Sequence, residues 1–365
     1  MLKKRGIVIF ALVGVLCAVG CGQEEDLVLA PTPTMAVEST PEVMPTEVPE
    51  VTPTEAPTAA EKPTATPTTE PTATPTPVPV EAFFDFGNGE NMGQMAVEIT
   101  CPPTYSVAKM DVTYGKMVKT SYYSTTCEKN RNVIVLLPDG YSEEKEYPVM
   151  YVLHGIFGDE TSMIGDGKTG LRITLGNLMA NDIAEDMIVV FPYMYASKTQ
   201  DVCTAIDAAN IAAYDNFVND LTADLMPFMK ENYAVAEGRE NTAIIGFSMG
   251  GRESLAIGFA RPDLFGYVGA IAPAPGLTPG KDWATTHPGQ YAEEELVFAE
   301  ESPHILMICS GDKDSVVGTF PLSYHNILTT NKVNHIWWEI PGSDHGDPAI
   351  TSGIYNFSKS IFKVE

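Results

Sequence analysis

Ala243-Ile-Ile runs directly into Gly246-Phe247-Ser248-Met249-Gly250, followed by a stretch with helical spacing from Gly251 through Phe259. A chain that passes from strand to helix within one residue must bend sharply at that residue. The bend is possible only if the neighbours carry no side chain to collide with nearby backbone, which is why glycines flank the serine in the G-x-S-x-G pattern. The pattern therefore requires a strand before it and a helix after it, and so a layered α/β architecture. It stands Ser248 above the end of a sheet. The amino end of the following helix faces the serine, where unpaired N–H groups and the helix dipole favour a developing negative charge.

Serine is a weak nucleophile without a base to take its proton, so a catalytic reading of Ser248 requires a histidine and an orienting acid. In α/β-hydrolases both follow the serine in the chain, each at the carboxyl end of a later strand. The run His304-Ile-Leu-Met-Ile-Cys309 reads as a buried strand and ends in Ser310-Gly311-Asp312-Lys313-Asp314. A second run, His335-Ile-Trp-Trp-Glu-Ile340, ends in Pro341-Gly342-Ser343-Asp344-His345. Of the six histidines, His345 alone sits in a turn-rich segment after a late strand and is the candidate base. His304 and His335 open strands, at the opposite edge of a parallel sheet, and read as structural. His287 in a loop and His325 in a helix read as solvated polar residues. For the acid, Asp314 is favoured over Asp312: a Gly-x-x-Asp turn carries Asp314 past the strand end, whereas Asp312 is placed to brace the turn. None of these roles needs a cofactor. No two histidines lie at i, i+4 and no Cys-x-x-Cys occurs, so no metal site is expected.

Strands are predicted near residues 131–137, 149–153, 188–192, 242–246, 268–272, 305–309 and 336–340. Long helices are predicted near 171–181 and 208–232, where apolar residues recur every three or four positions. The alternation predicts an α/β-hydrolase fold, a doubly wound, mostly parallel sheet with helices on both faces and its site at the carboxyl edge. Phe83 to Ser124 reads as an antiparallel extension leading into the domain. Pro148-Val-Met-Tyr-Val-Leu153 followed by His154-Gly155-Ile156-Phe157-Gly158 fits the earlier strand loop that supplies one of two amide donors to an oxyanion. The donors would be the backbone N–H groups of Ile156 and Met249, with His154 shaping the loop.

These segments resemble carbohydrate esterase family one, particularly bacterial feruloyl esterase modules of xylan-degrading systems. The resemblance lies in Arg131–Gly140, Tyr147–Gly158, Phe217–Tyr233, Gly246–Gly251, Asp314-Ser315, and Asn334-His335 with Trp338. It implies Ser248 as nucleophile, His345 as base, Asp314 as orienting acid, and Ile156 and Met249 as amide donors. It also implies a serine esterase acting on feruloyl or acetyl groups of plant cell-wall xylan or its oligosaccharides. Two alternatives remain open: an acyltransferase of the same fold that uses a sugar hydroxyl as acceptor, and a non-catalytic carbohydrate-binding protein. Asp159 to Lys168 and Pro273 to Glu295 depart from the pattern and are expected to border the acyl and sugar pockets.

The front of the chain is of a different kind. Lys3-Lys4-Arg5 precedes an apolar run from Ile7 to Val19 and then Ala18-Val19-Gly20-Cys21, which reads as a signal peptide over residues 1–21. Small residues before Cys21 resemble a bacterial lipobox, implying lipidation at Cys21; Cys17 is the lesser candidate and simple secretion the alternative. Residues 22–80 are dominated by proline, threonine and glutamate, a composition that cannot build a core and gives an extended stalk. Residues 81–365 then form the esterase domain. The formal charge is −26; the stalk's ten acids and one lysine hold −9 and the leader's three cations +3, leaving −20 on residues 81–365. That excess argues against nucleic acid as a partner and is compatible with a neutral polysaccharide. A membrane would be approached only through the lipid. Cys101 and Cys127 form a conceivable disulfide pair, while Cys309 reads as a small core residue.

Overall fold

Apolar runs of five to seven residues, hydrophobic at every position, need a partner layer on each side, and that is how these strands are used. The computed structural model describes residues 79–80, 82–86, 95–165, 170–299 and 301–363. The expected leader with Cys21, and the stalk up to residue 78, lie outside the described residues. Nine strands form the main sheet: β1 (Phe83–Phe84), β2 (Lys116–Ser124), β3 (Lys129–Leu137), β4 (Val149–Leu153), β5 (Ile188–Pro192), β6 (Thr242–Phe247), β7 (Tyr267–Ile271), β8 (Ile305–Gly311) and β9 (His335–Ile340). Their order is β1-β9-β8-β7-β6-β4-β5-β3-β2. The six strands from β9 to β5 run parallel. β1, β3 and β2 each pair antiparallel with their inner neighbours. The segment expected to be a single antiparallel extension is therefore divided: Phe83–Phe84 closes one edge on β9, and Lys116–Ser124 closes the opposite edge on β3.

Side chains alternate between two cores because the strand period is two. Val149, Tyr151 and Leu153 of β4, with Ile244, Leu306 and Ile308, face α2 (Ala208–Asp215), α3 (Phe217–Asp220), α5 (Met249–Ala260) and α6 (Phe320–Thr330). Met150 and Val152, with Ala243, Ile245, Ile305 and Met307, face α1 (Leu171–Met179) and α7 (Ala349–Ser358). This is the doubly wound, mostly parallel arrangement of the α/β-hydrolase fold. Cys101 packs with the second core and Cys127 lies in the first, so the sheet separates them; all four cysteines among the described residues are free.

The helix expected over 208–232 is broken. α2 and α3 lead into a π turn at Leu221–Leu225, in which the Met226 N–H reaches back to the Leu221 carbonyl, and α4 (Met226–Asn232) follows. Pro227 has no N–H to continue the ordinary ladder and its ring crowds the preceding turn, so the wider turn accommodates it. Leu221, Leu225 and Met229 still face the first core.

A buried ionic cluster fastens α5 to its surroundings. The Arg252 guanidinium, 1% exposed, pairs with Asp215 at the end of α2 and with the equally buried Glu253, its Nε donating to Glu253 Oε1 at 2.9 Å. Gln290 Nε2 donates to Asp215 Oδ1 at 3.0 Å. Burial raises the Asp215 carboxyl to about 6 despite the neighbouring Arg252, and Glu253 adds to the rise. A cluster of this kind specifies an arrangement more than it stabilises one, because desolvation offsets most of the attraction. Removing the cation alone is different. Arg252→Met is expected to lower unfolding free energy in urea by about 3–5 kcal/mol, and Arg252→Met with Glu253→Leu by much less. Equal losses in the two variants would show that the arginine acts through packing alone.

Candidate active site

The carboxyl ends of β4, β6, β8 and β9 lie along one edge of the sheet, and the segments that leave them carry every predicted catalytic and oxyanion residue. At the end of β6, Ser248 takes φ 57° and ψ −116°, a left-handed backbone that non-glycine residues rarely adopt. Its N–H donates to the Ile271 carbonyl at 2.9 Å, and its own carbonyl accepts from the Arg252 and Ala274 amides at 3.0 and 2.9 Å. The glycines are required sterically. A Cβ on Gly246 would lie 2.3 Å from the Gly250 carbonyl group, and one on Gly250 would lie 2.4 Å from the Leu153 carbonyl oxygen.

His345 Nε2 lies 2.9 Å from Ser248 Oγ, and His345 Nδ1 lies 2.8 Å from Asp314 Oδ2. The ionised carboxylate can only accept, so Nδ1 carries the proton and Nε2 is left to accept from the serine hydroxyl. The other Asp314 oxygen accepts from the Val316 and Val317 amides, each at 3.0 Å. Asp312 is turned elsewhere and takes the Gly342 N–H at 2.6 Å. Of the two acids weighed from sequence, Asp314 is thus the one brought to the imidazole. The Phe247 ring stands 4.5 Å from the imidazole, tilted by 37°.

Asp344 was not singled out from the sequence. Its Oδ1 accepts from the Ser315 and His345 amides, each at 2.8 Å, and from the Ser315 hydroxyl at 2.9 Å. The Ser315 amide, followed by that of His345, holds the Asp344 carboxyl below the usual carboxylate range. One side chain thereby ties the loop carrying Asp314 to the loop carrying His345. The only sequence signal was its position beside the histidine.

Two histidine expectations need correction. His287 is not solvated: it is buried, with Nε2 3.1 Å from Asp282 Oδ2, because Gly280–Lys281 and Thr286–His287 pair as a small hairpin that folds it inward. His325 lies on α6 as predicted, but its Nδ1 is 2.8 Å from His335 Nε2 and its ring stacks on Trp337. His304 immediately precedes β8 and His335 opens β9, both at the edge opposite Ser248, as their sequence positions indicated. Pro273–Glu295 follows β7 and starts beside Ser248, where the Ala274 N–H binds the serine carbonyl. Of Asp159 to Lys168, residues 166–168 lie outside the described residues. Among the described residues, no group of three or more His, Cys, Asp or Glu is arranged to hold a metal ion.

The β4 loop is set by His154, which is 1% exposed. Its Nδ1 donates to the Gly155 carbonyl at 2.7 Å and its Nε2 accepts the Met194 amide at 3.0 Å, so the ring is neutral. Gly155 approaches the serine closely, a Cβ there lying 3.4 Å from Ser248 Cβ, and Ile156 follows in the turn closed by Gly158 N–H to the Gly155 carbonyl at 3.1 Å. Met249 is the first residue of α5, a position where amides lack intrahelical acceptors. Burial depresses the His154 pKa to about 4. The unfolded chain protonates this residue near pH 6.5, so the folded state binds fewer protons between 6.5 and 4 and loses stability as pH falls through that window. From pH 7 to 5 this group alone is expected to remove about 2 kcal/mol. Asp215, with its raised pKa, acts in the opposite sense, so the test is a comparison: urea unfolding at both pH values should show a shallower decline for His154→Gln than for the parent.

Comparison with known proteins identifies the family. The Esterase family model, whose description reads "Putative esterase", matches residues 124–349. A solved carbohydrate esterase family 1 ferulic acid esterase from Anaeromyces mucronatus, in complex with ferulic acid, is 46% identical; the alignment covers 73% of this chain and 97% of that one, with a TM-score of 0.70. An endo-1,4-beta-xylanase/feruloyl esterase from Xylanibacter ruminicola is 28% identical over 215 residues, 58% of this chain. An endo-1,4-beta-xylanase Y from Acetivibrio thermocellus is 29% identical over 147 residues, 38% of this chain. The matched regions span only 26% and 12% of those two relatives. With the family match covering more than half of its length, and a relative of known structure matched nearly end to end, the chain belongs to the esterase family, within carbohydrate esterase family 1.

Proposed function

We propose that the chain hydrolyses feruloyl esters of plant cell-wall xylan or its oligosaccharides through an acyl-enzyme on Ser248. The observation that carries this reading is the continuous contact from Asp314 through His345 to Ser248, at 2.8 and 2.9 Å. Ser248 Oγ attacks the ester carbonyl while His345 Nε2 takes its proton. The imidazolium then gives that proton to the departing sugar oxygen, leaving the acyl group on the serine. In the second half, His345 deprotonates a water, which attacks the acyl-enzyme; ferulic acid leaves and Ser248 recovers its proton. Asp314 keeps the proton on Nδ1 and stabilises the imidazolium, and the Ile156 and Met249 amides stabilise the oxyanion in both tetrahedral intermediates.

The feruloyl reading draws on the Anaeromyces mucronatus relative, a ferulic acid esterase with ferulic acid bound. Xylan as the carrier draws on the Xylanibacter ruminicola relative, whose name joins a xylanase to a feruloyl esterase. The chemistry of the leader adds a location: export and lipid attachment at Cys21, with residues 22–80 as a stalk that presents the enzyme to polymer outside the cell.

Residues 79–365 are expected to release ferulate from methyl ferulate, and Ser248→Ala to abolish it. Acetate release from acetylated xylan without ferulate release would replace the feruloyl assignment by an acetyl one, and release of neither by folded protein would sink hydrolysis. Asp314→Asn should lower kcat by about 10³–10⁴-fold through the wrong histidine tautomer, whereas Asp312→Asn, whose carboxylate holds the Gly342 amide and pairs with Lys313, should change it by less than about 3-fold. The reverse ranking would exchange the roles of the two acids. For the anchor, Cys21→Ser expressed in a bacterial host should move the full chain from the membrane fraction to soluble exported material; an unchanged distribution would exclude lipidation there.

A further inference from the structure

The residue after Ile156 is built at odds with the rules that govern an ordinary turn. Phe157 has φ 63°, in the left-handed region that favours glycine, and its side chain is 56% exposed. A bulky residue in that conformation is a backbone outlier, and an aromatic ring left in water forgoes the burial that normally justifies it. Glycine would remove both penalties. The conformation is nevertheless fixed firmly. The Phe157 N–H donates to the hydroxyl of Tyr214, a fully buried side chain of α2, at 3.1 Å. Gly158 closes the turn onto Gly155, and the neutral His154 supports it from below through its two hydrogen bonds. Strain and exposure at a rigidly held position next to a reacting centre indicate a ring kept for something outside the chain.

Location narrows what that is. Consecutive Cα atoms are about 3.8 Å apart, so the ring begins one residue from the amide assigned to the oxyanion and lies within reach of any group attached to the ester carbonyl. Val316, whose amide is held by the Asp314 carboxylate, is also exposed, at 46%. Of the polar side chains that follow Phe157, those of Asp159, Thr161 and Ser162 are engaged with one another, since the Asp159 carboxylate accepts from the Thr161 amide and hydroxyl and from the Ser162 hydroxyl. An apolar ring with no hydrogen-bonding edge suits a flat aryl face better than a sugar bristling with hydroxyls.

We propose that Phe157 is a specificity-determining residue whose ring forms one face of the acyl pocket and stacks against the aryl ring of a hydroxycinnamoyl group. This rests on the feruloyl reading above. The ring selects a planar aromatic acyl group over acetyl.

The experiment compares Phe157→Ala, Phe157→Gly and Phe157→Tyr with the parent on methyl ferulate, on 4-nitrophenyl acetate and on feruloylated arabinoxylan oligosaccharide. The ratio of kcat/KM for methyl ferulate to that for the acetate should fall about 10–100-fold in the alanine and glycine variants, mainly through KM, and stay within about 3-fold in the tyrosine variant. The glycine variant should melt no lower than the parent, since it relieves the left-handed backbone. Equal losses on methyl ferulate and the acetate would make Phe157 a loop-shaping residue. A loss confined to the oligosaccharide would turn the ring toward the sugar. Either result, or no loss at all from a parent that cleaves both simple esters, overturns the Phe157 assignment alone. A parent that cleaves the acetate but never methyl ferulate overturns the feruloyl reading and the aryl assignment with it.

Discussion

The whole site depends on how closely α5 crosses the ends of β4 and β6. Gly250 passes so near the Leu153 carbonyl, and Gly246 so near Gly250, that a single methyl group at either position would overlap backbone. That closeness lets the helix begin one residue after the strand ends, and it forces Ser248 into its left-handed conformation. The strain is held because both polar groups of the serine backbone are satisfied, the N–H by Ile271 at the end of β7 and the carbonyl by Arg252 and Ala274. The elbow is therefore braced by the neighbouring strand, by its own helix and by the loop that leaves β7. Its shape follows from sterics before any catalytic requirement is considered.

The remaining groups reach the serine because parallel strands deliver their carboxyl ends to the same edge. β8 and β9 lie side by side, so the acid and histidine loops can be joined to each other as well as to the serine. Asp312 and Asp344 make that junction from opposite sides, Asp312 holding the Gly342 amide beyond β9 and Asp344 holding the Ser315 amide beyond β8. Asp314 is left with one oxygen for two amides of its own turn and the other for the imidazole. Three aspartates near one another thus do separate work, decided by the loop geometry rather than by residue type.

The sheet and the order of serine, acid and histidine were legible because each is written in contiguous sequence: apolar runs of strand length, glycines at fixed offsets and turn residues after a strand. The preference for Asp314 over Asp312 was legible for the same reason, since a local turn decides which carboxylate passes the strand end. What could not be read depended on pairings that only the folded chain makes. The two edge strands carry no mark of which edge they join, and the break at Pro227 was masked by an apolar stripe that continues through it, because a π turn keeps Leu221, Leu225 and Met229 on one side. His287 and His325 looked like surface residues until Asp282 and His335 supplied their partners.

The same distinction separates chemistry from selectivity. Groups that position the serine are fixed by covalent geometry and by adjacent strands, which any sequence with the elbow must reproduce. The loops around it are held instead by side-chain contacts that only folding brings together: Phe157 by Tyr214, the hairpin after Pro279 by His287 and Asp282 within it, and Gln290 by Asp215, which also pairs with the buried Arg252. Each such contact is a few hydrogen bonds whose loss need not disturb the sheet. Loops of that kind can be exchanged while the elbow stays intact, so a motif that announces an activated serine carries little information about the ester it receives. The acyl group must be read from side chains such as Phe157, whose exposure and backbone strain have meaning only once their surroundings are known.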